Sequence, residues 1–483
     1  MSFGSLHNRL TTDVACTCSS PRSHVLGRSY KVSERGIRQH WRIKATSLRQ
    51  FNGDGSLTSV TTPHSGYHFD GSRDRFFEGW YWKVSLGGPG ESFAFIYSIE
   101  DPKGNTQTGG VGAQACTSVP WLTLLKAHAQ IMGPGDSYLL QYSNNVGAFW
   151  ADQHSLALGA RFRAPNGQAL RVAPQSILPQ DAFDRSVDQG YQASQTWHQG
   201  SLVADEAGAR GDLRSTVPSA QWAFSVTPID GWGPRAGKQQ ATAGWLAALP
   251  VFEPHWQILM ARGTASGWVQ WGNRRYEFTD APAYAEKNWG AGFPKKWFWV
   301  VATGFEGEPD ASLTAVGARR GLLQLPGVEE DVGMVGIHWK GQFIEMVPWN
   351  GDVQWEVEPW GRWRIYAKNS QYEALVEAGC SSPGTPLRAP TADRGLDVFC
   401  RDSFHGEVRL RVWRRDSAGV RRTEPLIDLH TNDGAVEVGG GPWWSTWQAQ
   451  AEMQQPLKSI VGLPVDVESV VAALPQALRP PGL

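Results

Sequence analysis

The chain has 483 residues, enough for one large or two ordinary domains, and its 24 Trp and 54 Gly favour short strands and tight turns over long helices. A formal net charge of −1 gives no global basic field of the kind nucleic-acid binding needs. No apolar run of about 18 residues is present, so the sequence offers no membrane-spanning helix and leaves only peripheral contact with a lipid surface.

Residues 1–50 carry nine Lys/Arg against Asp13 and Glu34, with many Ser and Thr and no apolar core of a secretory signal. Such a leader reads as an organelle transit peptide, without folded structure of its own. Its removal leaves a mature chain near −8, which argues further against nucleic acid. Of the five cysteines, Cys16 and Cys18 fall in this leader. Cys116, Cys380 and Cys400 are too widely spaced for a zinc site and read as reduced, structural thiols.

Strand patterning begins after the turn-rich stretch Pro63–Gly71. Trp80–Ser85 and Ser92–Glu100 form a predicted hairpin across Gly87-Gly88-Pro89-Gly90. Ala127–Met132, Leu156–Arg163, Ala169–Val172 and Gln221–Val226 continue the rhythm of strand and Gly/Pro/Asn/Asp turn. Gly231–Leu249 reads as a surface connection. Two strands follow, His255–Arg262 and Gly267–Trp271, the second paired with Tyr276–Phe278, and Asp280-Ala281-Pro282 marks a turn. Ala311–Ala318, Met334–His338, Gln342–Val347, Trp363–Ala367, Tyr372–Ala378 and Glu407–Trp413 are further strands. Only Val465–Leu474 has helical spacing of apolar residues. This is the pattern of antiparallel barrels or sandwiches.

Trp80-Tyr81-Trp82 and Trp297-Phe298-Trp299 both enter apolar strands, an internal echo that suggests two related β units. The domain reading is therefore a transit segment over 1–50, a first β domain over 56–290, a second over 291–450, and a C-terminal extension with a short helix over 451–483.

No phosphate loop, dinucleotide fingerprint, HExxH motif or nucleophile elbow is present. Gly439-Gly440-Gly441-Pro442 reads as a tight turn. His64 and His68 are four apart, but Pro63, Gly66 and Gly71 oppose the helix that a metal pair would need. Glu78 opens a strand and serves either function or turn capping. His255 opens another, as a packed ring or as a group that positions an acid. The richest stretch is Tyr284–Trp299, where one carboxylate, one amide, three Trp and three Lys share sixteen positions. Alternation puts Tyr284, Glu286 and Asn288 on one strand face.

Pro63–Phe69, Phe77–Tyr81, Gly244–Ala247, Val251–Gln257, Glu286–Gly290, Gly434–Trp443 and Arg479–Leu483 together resemble the tocopherol cyclase family, from about Pro63 onward. More distantly the chain is similar to carotenoid 1,2-hydratases and related two-barrel, lipocalin-like proteins. The resemblance implies a mainly β fold of two lipocalin-like antiparallel units. It implies a plastid enzyme at plastoglobules that closes the chromanol ring of 2-methyl-6-phytyl- and 2,3-dimethyl-5-phytyl-hydroquinone, giving δ- and γ-tocopherol. No cofactor, nucleotide or metal is implied, because the reaction is redox-neutral. In the hydratase pattern an acid stands three positions before a Trp; here these are Glu286 and Trp289, with Tyr284 two before the acid and Glu in place of Asp.

Alkene protonation needs an acid that stays neutral near pH 7, about three units above a free Glu, and burial against aromatic walls is the means. Glu286, Tyr284 and His255 are the candidate catalytic residues. Trp289, Trp297, Trp299, Trp80, Tyr81, Asn288 and Glu78 are the candidate substrate-binding residues, with ring faces available to the cation. The Lys287 side chain should point away from Glu286, and a barrel mouth is the expected place for the lipid substrate. A non-catalytic lipid-binding barrel and an alkene hydratase are the alternatives.

Overall fold

The computed structural model describes residues 62–73, 75–102, 126–143, 146–163, 176–205, 214–235, 237–249, 253–321, 327–392 and 394–483. The expected transit segment, the strand at 169–172 and Cys16, Cys18 and Cys116 lie outside them.

Among the described residues, the strands form two antiparallel sheets. The first contains β1 (Phe77–Ser85), β2 (Ser92–Glu100), β3 (Lys126–Gly133), β4 (Ser137–Ser143), β5 (Phe149–Ala151), β6 (Ala157–Arg163), β7 (Gln189–Ser194), β8 (Trp197–Val203), β9 (Ser219–Asp230), β10 (His255–Trp271) and β11 (Arg274–Gly290). The second contains β12 (Lys296–Phe305), β13 (Glu308–Gly321), β14 (Glu329–Trp339), β15 (Gln342–Met346), β16 (Gly351–Val357), β17 (Arg362–Asn369), β18 (Tyr372–Gly379), β19 (Thr385–Thr391), β20 (Gly395–Arg414), β21 (Ile427–Gly440) and β22 (Trp447–Glu452).

In each sheet most neighbours are consecutive strands running up and down, and the first strand pairs with a late, long one, β1 with β11 and β12 with β21; in the second sheet β19 pairs with β20 off the main path and β22 returns to pair with β16. The break falls between β4 and β5 in the first sheet, while β15 and β22 are the ends of the second. The two Trp-aromatic-Trp triplets thus occupy the same topological place, at the start of β1 and β12. Each curled sheet encloses its own core. Trp82, Phe95, Tyr97 and Trp222 fill the first, and Phe298, Trp355, Trp363 and Val376 fill the second.

A third cluster lies between the sheets and includes Tyr138, Trp232, Tyr284, Trp299, Leu387 and Phe404. Strands that face both a barrel core and this layer are buried on both sides. That is why β12 reads as an almost unbroken apolar run. Polar contacts also tie the layers. Asp136 accepts from Ser382 Oγ (2.7 Å), Ser403 Oγ (2.8 Å) and the Phe404 amide (3.1 Å). Gln130 exchanges two hydrogen bonds with the Arg388 backbone (3.0 and 3.1 Å).

Three sequence expectations need correction. His255–Trp271 is one strand, not two; register shifts near Met260, Gly263 and Gly267 absorb the irregular middle. Gly267 has φ +152°, and a Cβ there would meet the Ala223 carbonyl oxygen at 2.3 Å, so the strands close up only over glycine. Asp280-Ala281-Pro282 does not end a strand either. β11 runs through it, with Asp280 at φ +52° and Pro282 just past the end of β1, where its missing N–H costs little. Gly231–Leu249 is not a surface connection: Trp232 is 1 % exposed and donates to Glu345 Oε1 at 2.7 Å, carrying the loop into the layer between the sheets.

The expected C-terminal helix is present at Val467–Ala472, where the Asp466 side chain accepts from the Ser469 amide. Two further short helices, Gln180–Ser186 and Leu457–Val461, lack a long apolar period and were not anticipated. No helix among the described residues is long and apolar enough to cross a membrane.

Candidate active site between the two sheets

A cavity of about 580 Å³ lies between the outer faces of the two sheets, not in a barrel mouth as the sequence suggested. Its size is ordinary for a small-molecule site. The strand register explains its walls. On the first sheet Tyr81, Glu286 and Ile258 stand side by side on β1, β11 and β10. On the second, Trp299, Glu437 and Asp402 stand side by side on β12, β21 and β20. The two rows face each other across the layer.

Glu286 is 8 % exposed. Its Oε2 accepts from the Tyr284 hydroxyl at 2.6 Å and from Trp299 Nε1 at 3.0 Å. Burial raises its pKa, and hydrogen bonds from Tyr284, Trp256, Trp299 and Asn288 oppose that rise. Tyr284 and Trp299 pack with ring centroids 5.9 Å apart, and Tyr81 stands edge-on to Trp299 at 5.5 Å. Trp80, Tyr81, His255, Glu286, Asn288, Trp297 and Trp299 all line the cavity.

Lys287 points the opposite way, as required for a neutral Glu286. Its ammonium is fully buried and ion-paired with Glu78 Oε1, and it donates to the Gly66 carbonyl at 2.6 Å. Glu78 also accepts from the His68 amide at 2.9 Å. Glu78 and Trp289 therefore belong to the reverse face, away from the cavity lining. Trp289 is sandwiched between His68 (ring centroids 3.9 Å apart) and His255 (4.8 Å). Burial, aided by Arg320 and Arg73, lowers the His255 pKa to about 4, so this stack is neutral at pH 7. The structure does not bring His255 beside Glu286. Lys287→Met should cost about 3–5 kcal/mol in chemical unfolding, because it strands the buried Glu78 carboxylate without its cation; a loss below about 1 kcal/mol would contradict this structural role.

Sequence reasoning missed Glu437, Asp402 and Trp256. Trp297 Nε1 donates to Glu437 Oε1 at 2.5 Å. Burial, reinforced by the charge of Glu286, pushes the Glu437 pKa up to about 7. Burial and the charges of Glu437 and Asp136 hold Asp402 well above the carboxylate range. Among the described residues no group of three His, Cys, Asp or Glu side chains is arranged to hold a metal ion. The site thus offers carboxyl groups whose ionisation burial disfavours, enclosed by indole and phenol rings. That arrangement suits proton delivery to an apolar substrate.

The tocopherol cyclase-like family model matches residues 74–440, which contain both sheets' central strands and Glu286, Asp402 and Glu437. The chain belongs to this family. It is 42 % identical over 426 residues to "Tocopherol cyclase, chloroplastic" of Zea mays, covering 88 % of this chain and 87 % of the maize protein. It is 41 % identical to "Probable tocopherol cyclase, chloroplastic" of Oryza sativa subsp. japonica, covering 88 % of both. A crystal structure of CghA overlays with a TM-score of 0.42 at 9 % identity, over 80 % of this chain and 97 % of that one. In this member of the tocopherol cyclase-like family, the Glu286–Gly290 motif supplies the cavity acid through Glu286 and the buried ion pair through Lys287. The Gly434–Trp443 motif supplies Glu437.

Proposed function

We propose that this chain is a plastid tocopherol cyclase, closing the chromanol ring of 2-methyl-6-phytyl- and 2,3-dimethyl-5-phytyl-hydroquinone to give δ- and γ-tocopherol in vitamin E synthesis. The identity to the maize and rice proteins supports the activity and the compartment. The observation that carries the mechanism is Glu286, buried in an aromatic cavity with its ionisation disfavoured. Its proton goes to the alkene carbon that leaves a tertiary cation. The Trp299 and Tyr81 rings flank that cation, an interaction worth roughly 2 kcal/mol when desolvated. The tethered phenol oxygen then captures the cation, favoured by proximity and by exclusion of water. Tyr284 holds the Glu286 carboxyl in place, and Asn288 and Tyr81 are placed to meet the hydroquinone head.

The test is incubation of the purified chain with a phytyl-hydroquinone under reducing conditions. Chromanol supports the reading; a tertiary alcohol or unchanged substrate overturns it.

Residues 1–50 serve in this reading as the plastid transit peptide, and the folded protein docks on plastid lipid bodies. Exposed Leu463 (54 %), Val470 (67 %) and Leu478 (68 %) support docking through the C-terminal extension, whose Leu457 and Val461 also line the cavity. Apolar side chains of this kind bind lipid in proportion to the area they bury. Leu463→Asp with Val470→Asp should cut co-flotation with galactolipid-coated oil droplets several-fold while turnover of detergent-dispersed substrate persists. Unchanged flotation removes this surface from consideration.

A further inference from the structure

Ring closure is redox-neutral and also proton-neutral: one proton enters the alkene and one leaves the phenol. An acid alone therefore completes half of the cycle. The cavity holds a second carboxyl in a position to complete it. Glu437 sits on β21 directly beside Trp299 of β12, and Trp299 donates to Glu286. Glu437 itself is held by Trp297 Nε1 at 2.5 Å, so its carboxyl has a fixed orientation. Both acids line one cavity and come from different sheets. The Tyr81 hydroxyl, buried with no hydrogen-bond partner among the described residues, feels the charges of Asp402, Glu286 and Glu437.

We propose that Glu286 and Glu437 are a catalytic pair that shares one proton, Glu286 acting as acid and Glu437 as base. This rests on the cyclase reading. The Glu286 O–H bond breaks as a C–H bond forms on the alkene. The phenol oxygen bonds to the tertiary cation, and its O–H bond breaks with the proton passing to the Glu437 carboxylate. The pair still holds one proton at the end. Transfer of that proton from Glu437 back to Glu286, with the Tyr81 hydroxyl placed as carrier, restores the starting state. No oxidant, reductant or ion is consumed. The timing is favourable: once Glu286 has given up its proton, its negative charge strengthens the proton affinity of Glu437, which burial has already lifted.

The groups facing the pair are Tyr81 and Tyr284 from the first sheet and Cys400 and Asp402 from the second; the cavity wall also carries Arg320, Arg388, His128, Glu330, Asp331 and Glu452, and His255, which burial keeps neutral above about pH 4. Burial holds both tyrosines and the thiol protonated through neutral pH and raises Asp402 from the usual carboxylate range. The two glutamates are then the groups that titrate with turnover, and their apparent pKa values belong to the pair. Turnover needs the singly protonated pair. It should fall at low pH, where the base is lost, and again as pH rises through the upper value near 7, where the acid is lost.

The experiment combines kinetics with carboxyl infrared spectroscopy. Glu437→Gln keeps the acceptor for Trp297 and should lower kcat about 100-fold with KM within a few-fold. It should also lose the low-pH fall, because the base it removes is what that limb reports. The double variant Glu286→Gln/Glu437→Gln should be little worse than Glu286→Gln alone. In the wild type, a protonated-carboxyl C=O band should titrate near pH 7 and vanish in Glu437→Gln. A Glu437→Gln enzyme with near-normal kcat and both pH limbs overturns the pair. So does the absence of that band from the wild type, a readout that does not depend on any variant folding. A wild type that shows the band yet makes no chromanol overturns the cyclase reading and leaves the coupled carboxyls standing.

Discussion

Glu286→Gln should abolish ring closure, lowering kcat by about a thousandfold or more while substrate affinity stays within a few-fold. The amide has the shape of the acid and still accepts from the Tyr284 hydroxyl and Trp299 Nε1, so the cavity wall is preserved. What it lacks is a proton acidic enough for an alkene. Single-turnover formation of chromanol, with binding followed by quenching of tryptophan fluorescence, separates the two effects. Turnover within tenfold of wild type would remove Glu286 from the acid role.

The same substitution should also change stability, and the sign can be worked out. Burial raises the folded-state pKa of Glu286 above its unfolded value. The native state then holds the proton more tightly than the unfolded chain. Its stability is greatest below the unfolded pKa and is lost as pH rises through the folded one. A glutamine has nothing to ionise, so Glu286→Gln should equal or exceed wild type in thermal stability at pH 8–9, with the difference shrinking toward pH 4.

The fold was legible because the signals that specify it are local. Gly87-Gly88-Pro89-Gly90 sits between Trp80–Ser85 and Ser92–Glu100, and the hairpin forms there. Where the reading failed, a distant packing partner decided the outcome. Asp280-Ala281-Pro282 carries every mark of a turn, yet β10 on one side keeps β11 extended through it. Trp232, among Gly and Pro, looks like part of a surface loop until the second sheet covers it.

The candidate site divides in the same way. Glu286 and Tyr284 could be placed together because two-residue periodicity is a property of one strand. The opposed orientation of Lys287 followed from the same rule. Glu437 was hidden by it. Between Val436 and Val438, whose side chains enter the second core, an acid reads as the solvent-facing member of an alternating strand. Only the docking of the first sheet turns that outer face into a cavity wall. His255 carried two readings, a packed ring or a group that positions an acid, and its place at the start of a strand did not show that its ring stacks on Trp289.

Trp299→Ala carries the second large effect, because Trp299 serves the reaction twice. Its N–H fixes the Glu286 carboxyl, and its ring closes the cavity against Tyr81 and Tyr284. A hydrogen bond to a charged or reacting carboxyl contributes about 1.5–3 kcal/mol, and an aromatic face roughly 2 kcal/mol to a desolvated cation. Their joint loss, about 3.5–5 kcal/mol, should slow turnover by several hundred- to several thousand-fold. The product should change as well. The space left by the indole lies beside Glu286, whose polar partners give water a foothold there. Water then competes with the phenol for the cation, and a tertiary alcohol should appear beside the chromanol. Trp299→Phe separates the two contributions. It keeps most of the ring and loses the N–H, so it should slow the reaction about 10- to 100-fold without alcohol. The indole fills the layer between the sheets, and its truncation to Ala should cost about 3–5 kcal/mol of stability; product ratios should therefore be compared on samples shown by near-ultraviolet circular dichroism to be folded. If folded Trp299→Ala yields chromanol alone, water exclusion at this wall is not what selects cyclisation, and the choice must be made by how the tethered phenol is held.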